Sequence, residues 1–193
     1  MLLTVSGPPG GGKTTTAVAL AERLDLEHIS GGDIFRAVAR DRSLTVVELN
    51  ELAESDQSID LELDRRLQSV AIERDDVVLE SRLAGWLAGA QADFKFWLDA
   101  PVEVRSARIA DREGGEADVI ADETRRREES EAKRYREYYG IDIGDRSIYD
   151  LGVNTSRWDP DTVIDLLVDA IGRHNPATDE GKHSIPDIEL PTD

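Results

Sequence analysis

The octapeptide Gly7-Pro8-Pro9-Gly10-Gly11-Gly12-Lys13-Thr14 constrains this chain more than any other stretch. It fits G-x-x-x-x-G-K-[ST], follows the apolar run Leu2-Leu3-Thr4-Val5 and precedes a helix-forming run from Thr15 to Leu24, which is the strand, loop and helix context the pattern requires. Glycines let backbone N–H groups curl around phosphate oxygens, and the helix start behind them adds a dipole that favours anions. The pattern is that of a P-loop. It predicts that residues 7 to 15, including Pro8, Pro9 and Thr15, bind the phosphates of ATP, that Lys13 reaches the β- and γ-phosphates, and that the Thr14 hydroxyl ligates Mg2+. A Gly/Pro linker would not set Lys-Thr at the head of an amphipathic helix.

Behind this anchor, strands alternate with helices. Leu2 to Ser6, Glu27 to Ser30, Val77 to Ser81, Phe94 to Leu98 and Ile148 to Asn154 read as strands. Gly31-Gly32 reads as a turn opening a helix, and residues 36–74 as helical with breaks near Ser43 and Ser55 to Ser58. A helix runs from Pro101 to about Glu113, a short mobile loop from Glu113 to Asp122, and a strongly charged helix from Glu123 to Tyr139. Asp159-Pro160 opens the last helix, which ends near Gly172. Because crossovers between parallel strands are right-handed, the expected class is α/β: a P-loop NTPase with a five-stranded parallel sheet flanked by helices. Residues 1–172 form this domain, and 173–193, without apolar periodicity, are expected to be a disordered acidic tail.

Charge narrows the partners. Asp and Glu total 41 against 23 Lys and Arg, a net charge of -18, with four lysines only (Lys13, Lys95, Lys133, Lys182). Such a surface repels nucleic acid and anionic membranes, so small nucleotides are the expected partners and a monomer the expected state. Acids spread along the whole chain fit adaptation to high salt, where screening removes self-repulsion. No apolar run approaches membrane-spanning length and no signal-type leader is visible, so a cytoplasmic location is expected. The absence of cysteine excludes disulfides and thiolate metal sites.

With Gly32-Asp33-Ile34-Phe35-Arg36 and Glu80-Ser81-Arg82 added to the loop, residues 1–172 resemble the nucleoside monophosphate kinases, most closely archaeal-type cytidylate kinases. The resemblance implies ATP-dependent phosphorylation of CMP, and of dCMP, by in-line transfer, with a nucleoside-monophosphate-binding helical insert at about 33–74 and a short lid at about 112–126. It implies that Arg36 and Arg82 hold the acceptor phosphate through guanidinium forks, with Asp33 orienting Arg36, helping to hold Mg2+ through water, or capping the helix that follows. Glu80 falls where the family places an acid near the metal, and Arg112 where a lid arginine covers the donor phosphates. Arg127, Glu131 and Arg134 match an R-x-x-x-[DE]-x-x-R pattern that serves the acceptor and the moving phosphate. Asn154 lies where the family meets the donor adenine. Ser81 departs from the glycine common there. Arg105 and Arg108 read as surface charges paired with nearby acids, and Asp99 as a weaker candidate for the metal. An adenylate or other small-molecule kinase on this scaffold, or a P-loop switch or assembly protein, are the competing readings.

Overall fold

The computed structural model describes residues 1–186, 188 and 190. Five parallel strands, β1 (Leu2–Ser6), β2 (Glu27–Ser30), β3 (Val77–Glu80), β4 (Phe94–Asp99) and β5 (Leu151–Asn154), form one sheet in the order β2-β3-β1-β4-β5. β1 therefore lies between β3 and β4, and the loop that follows it opens at the carboxyl edge where the chain's crossovers diverge, the ligand-binding edge of open α/β sheets.

The period-two alternation of strand side chains separates two cores. Leu2, Val77, Leu79 and Trp97 face a cluster that includes Leu67, Leu83, Trp86 and Tyr135. Leu3, Val5, Val78, Phe96 and Leu98 face the other side, against Ala17 and Leu20 of α1 (Lys13–Leu24) and Val163, Ile164 and Leu167 of α8 (Pro160–Arg173). Both faces are apolar because helices cover both, as parallel sheets require.

Three helices, α2 (Gly31–Asp41), α3 (Val46–Ala53) and α4 (Gln57–Glu73), form the insert, with a small core of Ala39, Leu49, Ala53 and Ile59. Its ends are specified locally: Ser30 caps α2 by accepting from the Asp33 amide, Thr45 and Glu48 make a reciprocal capping box on α3, and Asp56 caps α4. The expected breaks near Ser43 and Ser55 to Ser58 are present. Gly31-Gly32, however, is no turn. α2 starts at Gly31, and a Cβ there would stand 2.8 Å from Ser81 Cβ, so the glycine serves close approach of α2 to the end of β3.

Two further boundaries differ from expectation. The short helix α5 (Ala84–Leu87), hidden in an apolar run without full helical length, follows β3, while α6 (Val102–Glu113) is separated from α7 (Ala117–Tyr139) by three residues only. Gly114 and Gly115, both at positive φ, break the chain there, and Ala117 to Asp122 continue the charged helix because Ala121 is buried and supplies a packing face. The expected ten-residue loop is thus mostly the first turns of α7. β5 begins at Leu151, since Ile148 turns into the first core instead of extending the strand.

The tail beyond α8 holds no regular element among its described residues, but it does not lack an apolar contact face as expected. Ile185, Ile188 and Leu190 pack against the first core, Gln68 donates to the Ile188 carbonyl at 3.0 Å, and Lys182 donates to the Ala92 carbonyl at 2.6 Å. Three apolar residues at irregular spacing are enough when an extended chain, not a helix, presents them. No helix among the described residues is long and apolar enough to cross a membrane.

Candidate active site

A cleft of about 380 Å³ opens between the P-loop, the insert and α7. On its floor the P-loop leaves β1 and enters α1 directly at Lys13, with Gly12 in the left-handed cap position. Gly10 also has positive φ, and a Cβ there would come within 2.6 Å of the Arg105 carbonyl. The loop is therefore a tight fit as well as a permissive one.

Two arginines fix its path. Arg105 donates to the carbonyls of Ala100 at 2.8 Å and Pro9 at 3.0 Å and pairs with Glu128 at 2.5 Å. Arg108 donates to the Gly10 carbonyl at 3.2 Å and to Thr155 Oγ1 and O at 2.9 and 3.0 Å. The expectation of surface pairing for these two is not met: Arg105 is buried and divides its donors between two backbone carbonyls and the Glu128 carboxylate, and Arg108 donates to the Gly10 and Thr155 carbonyls and the Thr155 hydroxyl. Their i, i+3 spacing on α6 was the available signal.

Lys13 lines the cleft and donates to the Pro8 carbonyl at 2.9 Å. Burial pushes its ammonium down to about 8; Glu80 pulls it back, and Arg82 and Arg127 add to the depression. Beside it the Thr14 hydroxyl donates to Glu80 Oε1 at 2.7 Å, and His28 Nε2 lies 3.0 Å from Glu80 Oε2. Burial opposes the Glu80 charge, but the hydrogen bonds from His28 and Thr14 and the nearby ammonium hold its carboxyl below the usual range. His28 had no motif to mark it.

Thr14 and Glu80 form an all-oxygen pair suited to a hard cation that is otherwise ligated by phosphates and water, as Mg2+ is. Among the described residues no three His, Cys, Asp or Glu side chains gather into a protein-only cage. Asp99 is elsewhere: half exposed, it accepts from the Ala100 amide and lies 3.7 Å from Arg105.

The arginine-lined side of the cleft is built around Glu131, buried on α7. Its Oε1 accepts from Arg127 Nε at 2.7 Å and its Oε2 lies 3.2 Å from Arg82 Nε. Burial works to raise the carboxyl, but Arg127 and Arg82 overcome it and hold it at about 2. One carboxylate so fixes two guanidinium groups at the cleft. Arg82 Nε and Nη1 are buried and ion-paired with Glu131 at 3.2 Å and Glu128 at 3.7 Å but make no well-aligned hydrogen bond, which a bound anion would supply. Arg36 reaches the cleft from α2 and is held by Asp33 at 2.8 Å. Arg112, at the end of α6, lines the cleft rim and contacts Glu113.

Arg134 is engaged differently from the expectation of a free phosphate-binding fork. Its guanidinium donates to Asp60 at 2.7 Å, to Asn50 at 3.1 Å and to Ser130, so it joins α7 to the insert and brings little uncompensated charge to the cleft. Its periodicity with Arg127 and Glu131 could not reveal Asp60, more than 70 positions away. Asn154, at the end of β5, accepts from the Ser156 amide at 3.0 Å and is outside the cleft lining.

Parallel sheet, P-loop, helical insert and a cleft lined by Lys13, Arg36, Arg82, Arg112 and Arg127 together define a P-loop kinase that transfers a phosphoryl group. Residues 2–157 match the model of the cytidylate kinase-like family, and the chain belongs to that family. Among curated proteins it is 62% identical over 185 residues to the cytidylate kinase of Halorubrum lacusprofundi, covering 96% of each chain. It is 61% identical to that of Haloquadratum walsbyi, covering 97% of this chain and 98% of the relative. Among solved structures it resembles an uncharacterized protein from Eubacterium ventriosum (TM-score 0.68, 18% identity, 90% of this chain and 99% of the other). It also resembles a shikimate kinase from Bacteroides thetaiotaomicron (TM-score 0.61, 19% identity, 89% and 98%), a likeness of fold.

Proposed function

We propose that the chain transfers the γ-phosphoryl group of ATP to CMP, and to dCMP, with Mg2+ held by Thr14 and Glu80. The observation that carries this reading is the pair of unsatisfied buried donors on Arg82, poised beside Glu131 and Arg127 in the same cleft as Lys13. A monophosphate dianion is a ligand that two guanidinium forks sharing the one Glu131 carboxylate, with donors left over, are suited to hold. The P-loop amides and Lys13 take the donor's phosphates, and Arg112 lies at the rim where the lid meets them.

Transfer itself requires positioning and charge neutralisation and no dedicated base, since the acceptor oxygen is already ionised. When bound, Mg2+ supplies further neutralisation of the phosphate oxygens. Arg82 and Arg127, held by Glu131, orient the acceptor, and the short Gly114–Glu116 hinge lets α6 and α7 close over the site and exclude water. The surface charge favours small nucleotides over nucleic acid; a cytoplasmic monomer, with the insert at about 33–74 and the lid at about 112–126, completes the reading.

A coupled ADP-release assay with ATP, Mg2+ and each of CMP, dCMP, UMP, AMP and GMP tests it. CMP is the expected best acceptor, and a preference for AMP refutes the cytidylate reading. Lys13→Met in the same assay is expected to fold and to lose about 10²-fold or more in turnover.

A further inference from the structure

Away from the P-loop the cleft changes character. Phe35 of α2 and Leu63 of α4 provide apolar walls there, while Asp60 and Asp64, one turn apart on α4, provide carboxylates. Asp60 is consumed by Arg134. Asp64 is not: the Tyr139 hydroxyl donates to its Oδ2 at 2.7 Å, and among the described residues no cation is ion-paired with it. It is 4% exposed and still borders the cleft. Tyr139 packs with Tyr135, which also borders the cleft, so the hydroxyl that holds Asp64 sits in a fixed aromatic wall.

A nucleoside monophosphate has one dianionic end and one uncharged base. Arg36, Arg82 and Arg127 claim the anionic end, and a phosphate is repelled from Asp60 and Asp64, so the base is what meets α4. We infer that Asp64, positioned by Tyr139, is the residue that reads the 4-amino edge of cytosine and rejects the 4-oxo edge of uracil. This rests on the CMP kinase reading above.

The hydrogen-bond code is specific. Cytosine presents an amino donor at N4 beside an acceptor at N3; uracil presents an acceptor at O4 beside a donor at N3. A carboxyl group in its acid form matches cytosine with two bonds, its O–H donating to N3 and its C=O accepting from N4–H. The Tyr139 hydroxyl donates to Oδ2 and so favours the carbonyl there and the proton on Oδ1; pairing with uracil in the same pose would need the proton moved to Oδ2, at the expense of the Tyr139 bond, and a carboxylate oxygen opposite O4 is repelled. Burial pushes Asp64 up to about 7, with the neighbouring Asp60 adding to the rise and Tyr139 and Arg134 opposing it, so the acid form is accessible at neutral pH. A site that pairs a ligand's polar edge discriminates strongly because the mismatched analogue leaves buried groups unpaired.

The test is kcat/KM for CMP and UMP, with ATP and Mg2+, in the full chain and in Asp64→Asn and Tyr139→Phe. An amide at position 64 can rotate to complement either base, so Asp64→Asn is expected to weaken CMP use, improve UMP use and lower the CMP/UMP ratio by about tenfold or more, mainly through KM. Tyr139→Phe keeps the carboxyl but frees its orientation, and a several-fold fall in the ratio is expected; this variant decides the matter if Asp64→Asn does not fold. A folded Asp64→Asn with an unchanged ratio overturns the inference, as does an unchanged ratio in Tyr139→Phe should that variant alone fold. An unmodified protein that fails to use CMP at all refutes the underlying kinase reading instead, which is a separate and recognisable result.

Discussion

The Arg105 guanidinium on α6 pairs with the Glu128 carboxylate on α7 at 2.5 Å, while its remaining donors hold the carbonyls of Pro9 and Ala100. A single buried side chain thereby sets the position of the P-loop relative to α7. Arg105→Ala would leave the Pro9 carbonyl and Glu128 without their partner, and removing one member of a buried pair costs about 3 kcal/mol or more. The measurable outcome is a lowered melting temperature together with a raised KM for ATP. Arg105→Lys, which retains charge but not the fork, should restore part of the stability and little of the ATP affinity. An ATP KM unaffected in a folded Arg105→Ala would show that the loop keeps its path without this tether.

Glu131 gives a pH prediction of definite sign. Its folded carboxyl is held at about 2, below its ordinary value of 4.5, because Arg127 and Arg82 outweigh burial. Its contribution to stability is therefore complete above pH 4.5 and lost as pH falls toward 2. Denaturant unfolding of the unmodified protein and Glu131→Gln should differ most at pH 6 to 7 and converge toward pH 2. A gap independent of pH would assign the Glu131 effect to shape and not to charge.

The tail should matter to stability. Removing residues 175–193 strips Ile185, Ile188 and Leu190 from the first core and frees the Ala92 carbonyl from Lys182. Partial burial of three such side chains contributes a few kcal/mol at about 25 cal/mol per Å² of apolar area. Thermal melting of the truncated protein should fall by several degrees. Turnover below the melting range should change little, since none of these residues borders the cleft. An identical melting curve would show that the packing contributes nothing in solution.

Salt dependence follows from the net charge of -18. The Debye length shrinks from about 30 Å at 0.01 M to about 3 Å at 1 M, so self-repulsion fades over that range. Melting temperature should climb steeply with KCl and then level off. A flat profile would mean that the acids are already balanced locally.

The strands, the three helices of residues 31–73 and the P-loop were legible in the sequence because each is encoded locally: apolar runs bounded by turns, breaks near Ser43 and Ser55 to Ser58, the cap at Asp159, and an eight-residue motif with fixed spacing. The cleft residues Lys13, Arg36, Arg82 and Arg127 were legible through motif and resemblance. What the chain did not disclose is pairing across long separations. Arg134 lines the cleft yet is bound to Asp60, Arg105 is buried against Glu128 and Pro9, and Asp64 belongs to no sequence pattern. Periodicity states which face of a helix a side chain occupies, and says nothing of what is packed on that face. The tail was misjudged for a related reason, since an extended segment needs no period to bury isoleucines.

α7 is one unbroken helix of 23 residues, about 35 Å long at 1.5 Å per residue. Near its middle Glu128 is tied to the donor loop through Arg105, and toward its end Arg134 and Tyr139 grip α4 of the insert. A rigid lever clasped at both points cannot move at one without moving at the other. Occupancy of the two nucleotide positions is then thermodynamically reciprocal: whatever factor CMP adds to the affinity for ATP, ATP adds to the affinity for CMP.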